Sequence, residues 1–397
     1  MSADSLPAAD RALRLGVIVL ILLAGVMTGA QLGKIAPLVP WYVGENGLSL
    51  VAAGWLAAIL GLFIAAAALP AGLAVARIGL DRSILIGAVA MTLGGAALAL
   101  SQAQEAVFSA RLVEAVGYLA LCVALPAALD AVSPTHWKGP VLAIWSGFVP
   151  LGFAVSDFLA AAMLPAFAPS AFLLATTLLF AACAAAALML LRGLPAAPSS
   201  AGAGGGLAST LVMPIVLLAA AFGAFVVLSV SMFTFMPAFV AGAGAHYLVP
   251  AGAVALSVPL GNFAASVLVR GRGPGFMARL AVFGFAAGVA VSVPAFTLAS
   301  PALATISALV LAVSGALVAS TQFAAIPFIT PRAGSVPVAI GLVAQAGGIG
   351  TVLGPPVAAA VIERYGWAGF GWFLALVGAA GLVCMLPLTA AERPRPR

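Results

Sequence analysis

The sequence predicts an all-α membrane protein of twelve spanning helices in two six-helix bundles. Three observations carry that expectation. Of 397 residues, 64% are hydrophobic and 7% charged, and the mean hydropathy is +1.24. The apolar residues gather in runs of about 20, the length at which a helix crosses the hydrocarbon core of a bilayer. Positive charge recurs between every second pair of runs. An ordinary soluble domain carries about 25% charged residues, so a water-soluble globule of this size could not cover its surface. Such hydropathy excludes disorder. The 16 Lys and Arg are spread along the chain, so there is no basic patch for a nucleic acid.

The spans fall in order. Six lie in the first half, at roughly 15–39, 50–75, 84–101, 108–131, 140–163 and 169–191. Six more lie at roughly 210–236, 248–269, 277–298, 302–327, 337–361 and 368–389. Barrel strands would alternate apolar and polar residues, and runs such as Ala57–Ala76 do not. Pro126, Pro150, Pro259, Pro294 and Pro355 interrupt several spans, as membrane helices tolerate. The first span follows Arg11 and Arg14 but is longer than a signal-peptide core of about 7–15 residues, so it reads as a retained helix. With the N-terminus inside, thirteen of the 16 Lys and Arg fall in cytoplasmic segments, one (Arg364) outside, and two (Lys34, Arg111) within spans. This bias places both termini in the cytoplasm, and the inner (plasma) membrane is the expected location. Between the sixth and seventh spans, Pro195–Ser209 reads PAAPSSAGAGGGLAS, a flexible linker. It divides the chain into bundles 1–194 and 210–397. Paired bundles with a site between them are the organisation of a secondary transporter.

Enzymatic chemistry is not expected. Cys122, Cys183 and Cys384 lie far apart, and the two histidines are His136 and His246. HExxH, CxxC and GxSxG are absent, which removes the usual hydrolase and metal signatures. Gly29–Lys34, GAQLGK, is one residue short of a phosphate loop and lacks its Ser/Thr. No cofactor or metal is implied.

Short motifs sit at regular places among the spans. After the second comes Gly72-Leu-Ala-Val-Ala76-Arg77-Ile-Gly79, with Asp81 two residues on. The fourth contains Arg111-Leu-Val-Glu114-Ala-Val-Gly117, and the eleventh Gly350-Thr-Val-Leu-Gly354-Pro355. With the six-plus-six count and the central linker, these resemble the major facilitator superfamily over essentially the whole chain. The first resembles its loop signature, with Ala76 at the acidic position. The second resembles an Arg motif tied to proton coupling. The third resembles the Gly-x-x-x-Gly-Pro pattern that exporters usually show in the fifth span, where this chain has the partial match Gly147-Phe-Val-Pro150-Leu-Gly152. Within the superfamily the resemblance is to bacterial drug/proton antiporters or to cyanate-type anion permeases. It implies a monomeric transporter whose partners are a small-molecule substrate, protons and the bilayer.

The chemistry has few places to sit. Ionisable groups at membrane depth are Lys34, Arg111, Glu114 and Asp157, with Asp130 near the inner end of the fourth span. Such groups are costly unless paired or solvated, and so are functional candidates. The second half offers only Asn262, Gln322, Gln345 and hydroxyls, since Arg270, Arg272, Arg279, Arg332, Glu363 and Arg364 fall in loops. Counting about 1.5 Å per residue, Lys34 stands about 10 Å, Glu114 and Asp157 about 9 Å and Arg111 about 13 Å outward of the midplane. Arg111 and Glu114 share a helix face. Asp157 is expected to find Lys34 across a helix interface. The layer either couples protons, holds a solute, or forms structural ion pairs. Lys34 and Arg111 are also long enough to snorkel to the interface. Trp41, Tyr42, Trp367 and Trp372 read as interface anchors, and Gly347, Gly348, Gly350 and Gly354 as points of close helix packing.

The function expected is secondary active transport of a small solute by alternating access, proton-coupled, with efflux of an organic compound favoured. The alternative is an uptake permease for a small anion. From another class, a transport-inactive sensor or lipid-handling protein would share the fold.

Overall fold

The computed structural model describes residues 8–101, 103–133, 141, 144–192, 207–242, 247–269, 272–331, 333–334 and 336–390. His136, Lys138, His246, Arg270, Arg332 and the linker through residue 206 lie outside them, as do the surroundings of Gly72 and the side chains of Arg77 and Asp130. Every regular element among the described residues is helical. They are α1 (Ala8–Gly33), α2 (Val39–Gly44), α3 (Leu50–Ile78), α4 (Leu80–Leu100), α5 (Gln104–Val132), α6 (Phe148–Met163) and α7 (Pro169–Arg192). There follow α8 (Met213–Gly242), α9 (Ala251–Leu256), α10 (Val258–Leu268), α11 (Pro274–Thr297), α12 (Pro301–Ile329) and α13 (Val336–Met385). Ten helical stretches are long and apolar enough to cross a membrane, and α6 is a shorter apolar helix.

The twelve-span reading is recovered once α13 is resolved into two arms. Its 50 residues contain one non-helical residue, Gly366, with φ 67° and ψ −167°. A positive φ costs glycine nothing sterically, so one residue makes the turn. Both arms pack on α8, in opposite senses. Along the first, Gly347, Gly350 and Gly354 meet Phe222, Gly223 and Ser231, whereas along the second, Gly378 and Gly381 meet Leu228 and Ala224. Gly347, Gly350 and Gly354 therefore serve close packing, as expected. Glu363 and Arg364, expected in a loop, ride on the last helical turn before Gly366 instead.

The first span also differs from expectation. Helix α1 stops at Gly33, and a 3-10 turn (Ala36–Leu38) leads into α2. Lys34 N–H still donates to Ala30 O, at 2.8 Å, so Lys34 closes the last turn of the helix. Two aromatic anchors pack inward instead, Tyr42 buried and Trp367 half-buried. Tyr42 is 1% exposed, and Trp367 packs 4.9 Å from Phe239 and 6.0 Å from Phe370.

The contacts define two compact units. The first holds residues 1–34 and 70–202, the second 35–69 and 203–397. Helix α3 is thus shared, its first twenty residues belonging to the second unit. There they lie along the first arm of α13. A Cβ on Gly54 would stand 2.8 Å from Pro355 O, one on Gly61 2.6 Å from Thr351 Cβ, and one on Gly348 2.6 Å from Ala65 N. Polar bonds tie both ends of this seam. Gln345 Nε2 donates to Ala65 O at 2.8 Å, and Val51 N–H, in the first turn of α3, donates to Glu363 Oε1 at 3.2 Å. Because the Gly348 contact is with backbone, a side chain there must displace α3. Gly348→Leu is expected to cost about 1–3 kcal/mol by overpacking, and an unchanged melting temperature of the detergent-solubilised protein would contradict the seam.

In the first unit, α1 packs on α6 and α7, and α4 on α5. Gly29 and Gly152 bring α1 and α6 to backbone contact. At the start of α4, Gly79 takes φ 94°, and Asp81 sits in the first turn, where a carboxylate favours the helix dipole.

Candidate functional site, a buried charge cluster

Within the first unit, three of the four ionisable groups expected at membrane depth come together. Lys34 Nζ lies 2.5 Å from Glu114 Oε1, and Arg111 Nη1 2.7 Å from Glu114 Oε2. All three residues are 0% exposed. Neither cation snorkels; both long side chains turn inward onto one carboxylate. Lys34 and Arg111 come from different helices, and each carboxylate oxygen takes one of them.

A neutral residue completes the cluster. Gln31 Oε1 accepts from Lys34 Nζ at 2.7 Å, while its main-chain carbonyl accepts from Arg111 Nη1 at 2.9 Å. Its Nε2 donates to Thr176 O on α7, at 3.0 Å. Gln31 thus ties α1 to α5 and α7 at once. Space for the carboxylate comes from α4, where a Cβ on Gly94 would stand 2.6 Å from Glu114 Cγ and one on Gly95 3.0 Å from Glu114 Oε1. Sequence reasoning missed Gln31, Gly94 and Gly95 because none carries charge. A signal was present: Gln31 lies one turn before Lys34, and a buried ammonium has three donors to satisfy.

Asp157 is not in the cluster. The expected Lys34–Asp157 pair is replaced by Lys34–Glu114, because Lys34 and Gln31 share a face of α1 that is turned to α5. Among the described residues Asp157 forms no ion pair, and its Oδ1 is buried without a hydrogen-bond partner. Its neighbour Ser156 is 0% exposed and donates to Ala30 O at 2.9 Å. That is the carbonyl that also accepts from Lys34 N–H.

The second unit's amides differ in their surroundings. Asn262 Oδ1 accepts from Ser320 Oγ at 2.9 Å, and Gln345 is engaged in the α3 seam. Gln322 is 0% exposed, and neither its Nε2 nor its Oε1 has a partner.

A run of apolar spans with charge buried inside the first unit suits a transporter, and residues 19–336 match the family model described as Major Facilitator Superfamily. The chain belongs to the Major Facilitator Superfamily. A comparison with curated proteins returned no match. As a Major Facilitator Superfamily protein, it is a multi-pass membrane transporter acting on a small molecule.

Proposed function

We propose that this transporter moves a small organic compound out of the cell by alternating access, driven by protons, and that Asp157 is the proton-carrying residue. The observation that supports this is the contrast between two carboxylates of one unit. Glu114 is held by two cations, whereas Asp157 has none. An unpaired carboxylate in a low-dielectric interior is costly as an anion. Asp157 therefore exchanges its proton as water gains or loses access to it, while Glu114 is held between Lys34 and Arg111. In this reading bundles 1–194 and 210–397 move about the tether 195–209, and the chain works as a monomer. Gly72, Arg77, Gly79, Gly350, Gly354 and Pro355 set how the helices pack as the states interchange. Asn262, Gln322 and Gln345 supply polar contacts, Gln322 foremost because both ends of its amide are uncommitted. Flux into proteoliposomes under an imposed pH gradient tests the assignment.

A second reading rests on the charge count of the cluster. Two cations on one carboxylate leave a net positive charge, which favours uptake of a small anion. A ligand-induced thermal-shift screen of the purified protein separates the two, because a solute that prefers the folded state raises its melting temperature.

Both termini lie in the cytoplasm in this reading. A cysteine at Glu45 is expected to react with an impermeant reagent in intact cells, and one at Arg395 to be shielded. Labelling at Arg395 from outside would refute the orientation.

A further inference from the structure

The turn of α13 carries a concave apolar surface apart from the charge cluster. A cavity of about 470 Å³ is lined by Val361 and Tyr365 from the first arm and by Gly369, Trp372, Phe373 and Leu376 from the second. Its size falls within the range of about 300–1,000 Å³ typical of small-molecule sites. Gly366 creates it by folding the chain back in one residue, and Gly369 keeps it open, since a Cβ there would collide with that of Tyr365. Tyr365, Trp372 and Leu376 are 63%, 62% and 70% exposed. They stand on a membrane-spanning hairpin, so they face lipid.

A cation stands at the rim. Arg364 lies with its guanidinium 5.6 Å from the Tyr365 ring centroid, a cation–π contact that leaves its N–H groups available. Among the described residues it pairs with no carboxylate. Its neighbour Glu363 is turned to Val51 N–H on α3. An apolar crease beneath one uncompensated guanidinium matches an amphiphile with an anionic head and a hydrocarbon tail. Guanidinium binds phosphate in a bidentate fork.

We infer that this crease binds one anionic phospholipid of the surrounding leaflet, its phosphate on Arg364 and an acyl chain along Tyr365, Trp372 and Leu376. The site is independent of the proton-coupling residues, so it stands or falls apart from the transport reading. Full-length protein in detergent, stripped of lipid, is titrated with phosphatidylglycerol or phosphatidylcholine of identical chains, and bound lipid is counted by native mass spectrometry. The first phosphatidylglycerol is expected to bind about tenfold tighter than phosphatidylcholine, whose choline cation offsets the phosphate charge and is repelled by Arg364. Arg364→Gln should bring the two affinities together. In proteoliposomes, the same lipids with brominated chains report on the crease through quenching of Trp372, obtained as the difference between the wild type and Trp372→Phe. Phosphatidylglycerol should quench it more strongly than phosphatidylcholine. Equal affinities in the wild type, a preference that survives Arg364→Gln, or equal quenching by the two lipids would each overturn the assignment.

Discussion

Asp157→Asn is expected to abolish transport driven by a pH gradient while leaving folding and substrate exchange intact. Asn has the size of Asp and carries no charge, so it mimics the protonated side chain. The Ser156–Ala30 bond that seats this turn of α6 on α1 does not involve Asp157. On the proposed reading, what the variant loses is the ability to take up a proton from water on one side of the membrane and release it to water on the other. Counterflow, in which labelled solute exchanges for unlabelled solute without a gradient, should continue at a rate near that of the wild type. Accumulation above equilibrium should disappear. Asp157→Glu keeps the titrating group and should restore part of the gradient response. If Asp157→Asn accumulates solute as the wild type does, the coupling residue lies elsewhere.

Glu114→Gln is expected to be the most destabilising change in the charge cluster. The carboxylate is the common partner of Lys34 and Arg111, and all three are fully buried. Neutralising it strands two cations, and breaking a buried pair costs about 3–5 kcal/mol. Lys34→Met should cost less. It leaves Arg111 and Glu114 as a balanced pair and takes the ammonium from two acceptors, Gln31 Oε1 and Glu114 Oε1. An unsatisfied buried acceptor costs about 1–3 kcal/mol. Melting temperatures of the variants in detergent test this order. A lower value for Lys34→Met than for Glu114→Gln would mean that the lysine has a second counter-ion and that the cluster does not stand alone.

The two predictions draw on different layers of information. That Lys34, Arg111, Glu114 and Asp157 are candidate residues was legible in the sequence, because an ionisable group inside an apolar run is costly wherever its helix points. Residue counts along spans of known rise also led to the expectation that Lys34, Glu114 and Asp157 share a level, with Arg111 somewhat further out. Their partners were not legible. Residue counts place Lys34 near Asp157 as readily as near Glu114, and the choice was made by the rotation of α1 about its own axis. That rotation is set by the backbone contact of Gly29 with α6 and by the bond from Gln31 to α7. Gln31 itself was overlooked because it carries no charge.

The fold divides in the same way. Composition and run length determined an all-helical membrane protein, its number of spans and the Gly-rich close-packing points of the eleventh, because hydrophobic burial and the thickness of the bilayer act on each segment separately. The tertiary structure alone decided that α1 ends at Gly33, that Gly366 folds α13 in a single residue, and that most of α3 lies along α13. It also decided that Asp157 stands apart from both cations. These depend on which faces of neighbouring helices fit together, and in a bilayer that choice rests on small-residue contacts and a few buried polar bonds between segments far apart in the chain.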